Sequence, residues 1–367
     1  MPDPRISKLA QVLVHYSLDL QPGEKFRLRT SPLAQELSLA VYKEALLAGA
    51  HITVQNSLPG TAELFYKFAS DDQLTHISPI SKIITETWDA DLYIEADHNT
   101  RELSAVDSGR IALARKAGAE LSKIYFQRAA DGELKWSLTV FPTHAMAQEA
   151  DMSLSDYQDF VYAAGLLDEE DPVAAWTQVG QQQAVHIQWL QGKEEVIIKG
   201  QHVDLQFSIK GRSFENCDGK YNFPDGEIFT GPVEDSVNGY IRFSYPAIYS
   251  GQEVEDIELW LENGAVIKEK ASKGQDLLTK MLNTDPGARF LGEWGIGTNY
   301  GIQRFTKNML FDEKMGGTIH LAVGAGYPET GSLNESGIHW DMLCDMQESE
   351  IRVDGDLFYK DGTFAVE

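Results

Sequence analysis

Residues 25–56 pass from a two-residue hydrophobic period to one of about 3.6 and back, which limits the fold more than any other feature. "KFRLRTS" (25–31) alternates apolar and polar residues as a strand does. Ser31 and Pro32 then supply an N-cap and a first helical residue for "LAQELSLAVYKEALLAG", which stops at Gly49. "HITVQN" (51–56) resumes the strand pattern, and a strand–helix–strand unit of this kind builds a parallel sheet. A second cycle runs from the helical "DQLTHISPISKIITETW" into the strand "DLYIEAD" (91–97), and a third from "SGRIALARKAGAEL" into "WSLTVFPT". The turn "TSPLAQ" lacks the glycines that a dinucleotide's phosphates require, so no nucleotide is expected on this sheet.

Residues 150–192 read as helical, with Asp171 and Pro172 opening the last helix and Gly192 closing it. From "EEVIIKG" onward the texture changes to short strands and tight turns. "VNGY" (237–240), "ENGA" (262–265) and "KDGT" (360–363) carry the Asn-Gly and Asp-Gly pairs of two-residue hairpins. The chain is therefore expected to be α/β, with a parallel-sheet α/β domain over residues 1–192 and a mixed α+β metal-binding domain over 193–367.

A formal charge of −25 opposes nucleic acid and anionic membranes as partners. No apolar run approaches the roughly 18 residues of a spanning helix, and the first residues lack the pattern of a signal peptide. Cys217 and Cys344 are the only cysteines, which rules out a disulfide framework or a cysteine-rich zinc site and fits a reducing cytoplasm.

Chemistry concentrates in four stretches of the second half. "FPDGEIFTGP" carries Glu227, "ARFLGEWGIG" carries Glu293, "GGTIHLAVGAGY" carries His320, and "GIHWD" carries His339 and Asp341. In a strand, His339 and Asp341 point to the same face. A carboxylate in an apolar strand is costly to bury, and so many of them are hard to bury together without a cation. Carboxylates mixed with imidazoles and no thiolate suit Zn, Co, Mn or Fe(II). The zincin pattern H-E-x-x-H is absent. One metal needs about three protein ligands; Glu227, Glu293, His320, His339 and Asp341 exceed that, and Glu313 in "LFDEKMGG" offers a sixth. Two ions about 3.5–4 Å apart would use them all.

The ordered set "GEIFTGP", "LGEWGIGTNYG", "IHLAVGAGY" and "IHWDML" resembles the thermophilic-type metallo-aminopeptidases, the group of bacterial aminopeptidases T and S. The resemblance implies Glu227, Glu293, Glu313, His320, His339 and Asp341 as ligands of two divalent ions, Zn, Co or Mn, with Glu293 as the bridge. It places Tyr327 at the family's active-site tyrosine. The spacing "DEKMGGTIH" is looser than the family's, which leaves Asp312 as the alternative to Glu313. Peptides with a free N-terminus as substrates, a homodimer and an enclosed cavity are also implied.

On this reading a metal-activated water attacks the peptide, Tyr327 stabilises the oxyanion, and Glu293 or Glu313 moves the proton. The rival is a mononuclear Fe(II) ring-cleaving dioxygenase of related fold, using His320, His339 and Asp341 as a two-histidine, one-carboxylate triad. "GIGTNYG" and "GAGYPETG" do not match a nucleotide-binding loop, and "IEADHNTREL" (94–103) is expected to be a loop of the first domain.

Overall fold

The computed structural model describes residues 3–249 and 251–366, which divide into two compact units. The first comprises residues 1–173 and 219–224, and the second 174–218 and 225–367.

The first unit is a five-stranded, all-parallel sheet in the order His51–Asn56, Lys25–Thr30, Ala90–Glu95, Lys135–Val140, Asn222–Phe223. Ser31 accepts a hydrogen bond from the Leu33 amide, and Pro32 opens a short 3-10 turn that continues as the helix Gln35–Leu47. Gly49 ends this segment with φ +82°, a left-handed conformation that a glycine adopts without strain. The second cycle holds two helices in place of one long one, Asp71–Thr75 and Pro79–Thr87, because Pro79 cannot continue the first and instead starts the second. The helix of the third cycle, Ser108–Ala130, is capped by Asp107 through the Gly109 amide. The strand Asn222–Phe223 reaches this sheet from far along the chain and carries no periodic signal of its own.

Asp91, on the central strand, is 1% exposed and lies between two arginines of the neighbouring strand. It accepts from Arg27 at 2.6 Å and stands 3.0 Å from Arg29. Removing one partner from such a buried set strands the remaining charge.

The second unit contains an eight-stranded antiparallel sheet, in the order 265–270, 258–262, 238–242, 203–208, 195–200, 349–353, 356–360, 363–364. It also contains a five-stranded antiparallel sheet, in the order His339–Asp345, Thr318–Gly324, Leu291–Gly297, Glu227–Thr230, Glu215–Cys217. Asn263 and Gly264 (φ +49° and +83°) and Asp361 and Gly362 (φ +49° and +81°) form the expected hairpin turns. Asn238 and Gly239 do not. Both belong to the strand Asn238–Arg242, in which Gly239 is paired on two sides, and a Cβ on Gly239 would lie 2.0 Å from the Asp204 carbonyl oxygen. That glycine serves a close approach of backbones.

One core joins the inner faces of the two sheets: Val196, Ile198, Leu205, Phe207, Ile241 and Leu259 from the larger, and Ile228, Trp294, Ile296, Ile319, Leu321, Trp340 and Met342 from the smaller. Because side chains alternate along a strand, the residues between those of the smaller sheet are turned to its opposite face. Those residues are Glu227, Glu293, Gly295, His320, His339 and Asp341.

Replacing Asp91 with alanine is expected to lower the unfolding free energy by about 3 kcal/mol, as breaking a buried ion pair does. Denaturant unfolding against the native protein measures this. A loss under about 1 kcal/mol would mean that the two arginines are satisfied by water.

Candidate metal centre

Four adjacent strands carry the acidic and imidazole groups, and their register sets the spacing. Gly295 is paired with His320, Ala322 with Asp341, and Gly297 with Glu227. The small partners leave room for the large polar ones. A Cβ on Gly295 would lie 2.0 Å from Cε1 and 2.1 Å from Nε2 of His320, so the imidazole lies across a position that only glycine can occupy.

Six groups then form an alternating row. Asp341 Oδ1 is 3.5 Å from His339 Nε2, and that nitrogen is 3.2 Å from Glu293 Oε2. The other oxygen of Glu293 is 3.1 Å from His320 Nε2, which is also 3.4 Å from Glu227 Oε2. Glu227 Oε1 accepts from Lys314 Nζ at 3.2 Å. Glu293 therefore spends both oxygens on two different imidazoles. His339 donates from Nδ1 to the Ala325 carbonyl at 2.8 Å, which directs its Nε2 toward the carboxylates, as an outer partner does for a metal-ligating histidine.

The electrostatics follow from burial and crowding. Burial disfavours a charged His320, yet the Glu293 hydrogen bond and the charges of Glu227, Glu293 and Asp341 outweigh it and push the imidazole up to about 10. His339 is pushed up to about 11, burial being overcome by the charge and hydrogen bond of Asp341 and by Glu293. Burial raises Glu227 to about 8 against the pull of Lys314. Glu293 is held below the usual range, because hydrogen bonds from both histidines overcome its burial. The site is rich in negative charge and draws positive charge onto any group that can carry it.

Among the described residues three sets of three converge closely enough to hold a cation, and two of them carry imidazoles: Glu227, Glu293 and His320, and Glu293, His339 and Asp341. Glu293 belongs to both. Glu227 Oε2 is buried with no hydrogen-bond donor, and hard carboxylate oxygens beside imidazole nitrogens are what divalent ions of the Zn, Co and Mn type take. The donor set fits two such ions.

The remaining residues fall around this pair. Glu313 follows the short helix Met309–Asp312 and pairs with Lys314; it lies beside the two sets and in neither. Asp312 is buried and committed elsewhere, accepting from the Thr306 amide at 2.7 Å and the Thr306 hydroxyl at 2.9 Å. Tyr327, beyond the end of Thr318–Gly324, packs its ring 5.1 Å from that of His339 and 5.2 Å from that of Phe229. Although 38% of Tyr327 is exposed, partial desolvation on its side toward the carboxylates and the charges of Glu293, Asp341, Glu313 and Glu227 hold its phenol above its ordinary value, so it stays protonated and can donate. His320, His339 and Asp341 do not converge as a set of their own among the described residues, since each imidazole sits with Glu293 instead. Glu95, Asp97 and His98 lie at and after the end of Ala90–Glu95 in the first unit, as expected of a loop there.

Sequence reasoning missed Lys314 and Asp225. Lys314 has no exposure at all, and its ammonium lies among Glu227, Glu313 and Asp225. The only local signal was the run "DEKMGG", in which a lysine after two acids reads as a solvated surface pair.

Replacing Gly295 with alanine is expected to displace the His320 ring. Overpacking of this kind costs about 1–3 kcal/mol, read as a lower melting temperature, together with loss of bound metal by elemental analysis. Native metal content in the alanine variant would show that the ring has room to move.

The family model described as "Thermophilic metalloprotease (M29)" matches residues 2–364. Aminopeptidase 2 of Geobacillus stearothermophilus is 26% identical, covering 95% of this chain and 93% of its own length. Aminopeptidase T of Thermus thermophilus is 27% identical over 72% of this chain and 71% of its own. Wild-type AmpT from Thermus thermophilus has a similar structure, with a TM-score of 0.85 at 22% identity and 99% of both chains covered. The 2,5-dihydroxypyridine dioxygenase of Pseudomonas putida KT2440 is more distant, with a TM-score of 0.57 at 12% identity over 99% of this chain and 97% of its own. These two structural likenesses are of fold.

Proposed function

The chain belongs to the thermophilic metalloprotease (M29) family, and from that premise we propose a two-metal aminopeptidase that releases N-terminal residues from peptides. It is a metal-dependent aminopeptidase by its family and by relatives aligned over nearly its whole length. The count of two ions is our reading, and one observation carries it: Glu293 divides its oxygens between two convergent sets, each with its own imidazole and second carboxylate.

When bound, divalent ions would supply Lewis acidity and a water acidic enough to act as a nucleophile near neutral pH. Glu227 and His320 would hold one, His339 and Asp341 the other, and Glu293 both. Tyr327, kept protonated by partial desolvation and its anionic neighbours, would donate a hydrogen bond to the oxyanion as the carbonyl carbon becomes tetrahedral. With both oxygens of Glu293 engaged, Glu313 is the better placed carboxylate to carry a proton to the leaving amine, its affinity for that proton raised by burial. Zinc, cobalt or manganese as the ions, a homodimer and a cytoplasmic location complete the proposal. The last is consistent with two free cysteines, and no helix among the described residues is long and apolar enough to cross a membrane.

The dioxygenase reading has support from fold alone. It needs His320, His339 and Asp341 on one ion, whereas the geometry pairs each histidine with Glu293.

Chelator treatment is expected to abolish release of leucine from a leucyl chromogenic amide, and cobalt, manganese or zinc to restore it, while the N-acetylated amide stays intact throughout. Replacing Tyr327 with phenylalanine should lower kcat roughly 100- to 1,000-fold, the usual cost of an oxyanion donor, with metal content unchanged. Cleavage of the acetylated amide, or a phenylalanine variant with native kcat, would overturn these roles.

A further inference from the structure

Lys314 is a lysine with no exposure in the interior of a site that already holds two convergent cation positions. Its ammonium has three carboxylate neighbours: Glu227 Oε1 at 3.2 Å, Asp225 Oδ1 at 3.8 Å, and Glu313 in a direct ion pair. Cys217, Asp225 and Glu227 form a third convergent set of the kind that holds a metal, and two of its three members are the lysine's own partners. Glu227 thus faces His320 with one oxygen and Lys314 with the other, as Glu293 faces His320 and His339.

The backbone is built to put the lysine there. The Asn299 amide donates to the Lys314 carbonyl at 3.0 Å, and the Asn299 side chain donates to the Asp225 carbonyl at 2.8 Å, tying the lysine's segment to the aspartate's. Gly297 allows the segment to pass over the sheet, since a Cβ there would lie 2.1 Å from the Met315 carbonyl oxygen. Burying a lysine costs several kcal/mol unless its charge is met, so a fully buried one surrounded by carboxylates is held for that charge.

We propose that Lys314 is the resident third cation of this centre: its ammonium occupies the position where Cys217, Asp225 and Glu227 converge, and so limits the site to two metal ions. The inference rests on the two-metal reading. Two divalent ions and one ammonium match the charge of the five carboxylates Asp225, Glu227, Glu293, Glu313 and Asp341. Lys314 also keeps the thiol of Cys217 out of the metal's reach and holds one oxygen of Glu227 so that the other faces His320. It is a positioning residue, since its partners are the carboxylates.

The test loads the full-length metal-free protein with cobalt(II) and reads ion count by elemental mass spectrometry and thiolate-to-cobalt charge transfer by absorption. The native protein should bind two cobalt ions with no thiolate absorption. K314A should bind a third ion and gain that absorption, because the vacated position offers a soft thiolate ligand; the double variant K314A/C217S should lose the absorption. A folded K314A, checked by circular dichroism, that still binds two ions without thiolate absorption overturns the proposal. If K314A does not fold, the native protein decides. Thiolate absorption there, removed by C217S, would mean that metal and not the ammonium takes the position, and its absence supports the assignment. A native count of one ion would instead count against the two-metal reading, while the increment in K314A still tests the lysine.

Discussion

Everything about this protein's site depends on one electrostatic constraint: acidic side chains brought together on a buried sheet face must each be met by positive charge. Left alone, such a cluster would take up protons or unfold. Here the carboxylates and cations alternate along a line, Lys314, Glu227, His320, Glu293, His339, Asp341, with every neighbouring pair between 3.1 and 3.5 Å apart. The same crowding that pushes His320 and His339 toward the charged state is what a divalent ion would relieve more fully. A site that attracts cations this strongly is suited to hold metal.

The sheet makes this possible by dividing its residues between two tasks. Ile228, Trp294, Ile296, Ile319, Leu321, Trp340 and Met342 anchor one face in the core, and the residues between them carry the chemistry. The core thereby fixes the register, since a slip by one residue would exchange apolar and acidic side chains. Rigid strands hold the metal-facing groups more firmly than loops would, as a centre with fixed ligand distances requires. The glycines at 295 and 297 are part of the same design, one yielding space to an imidazole and the other to a passing segment of backbone.

Much of this was legible in the sequence because it is local. The cap at Ser31, the stop at Gly49, and the Asn263-Gly264 and Asp361-Gly362 turns depend on a few neighbouring residues, and all form as expected. His339 and Asp341 share a face because a strand's period is fixed. What could not be read depends on distant partners. Asn238-Gly239 has a hairpin's composition but lies inside a strand, because the Asp204 backbone requires a glycine opposite it. Pro79 divides a helix that periodicity alone would run together. Lys314 escaped notice because its meaning comes from Glu227 and Asp225, nearly ninety residues upstream. Likewise, the commitment of Asp312 to Thr306 is a matter of loop geometry that no spacing rule conveys.

The central claim is that Glu293 is shared by two metal positions. The most direct test is a crystal of the protein grown with zinc or manganese and measured at that metal's absorption edge, so that anomalous scattering locates the ions. The account predicts two peaks about 3.5–4 Å apart, one against Glu227 and His320, the other against His339 and Asp341, with Glu293 between them. A single peak held by His320, His339 and Asp341, with both glutamates turned away, would contradict it.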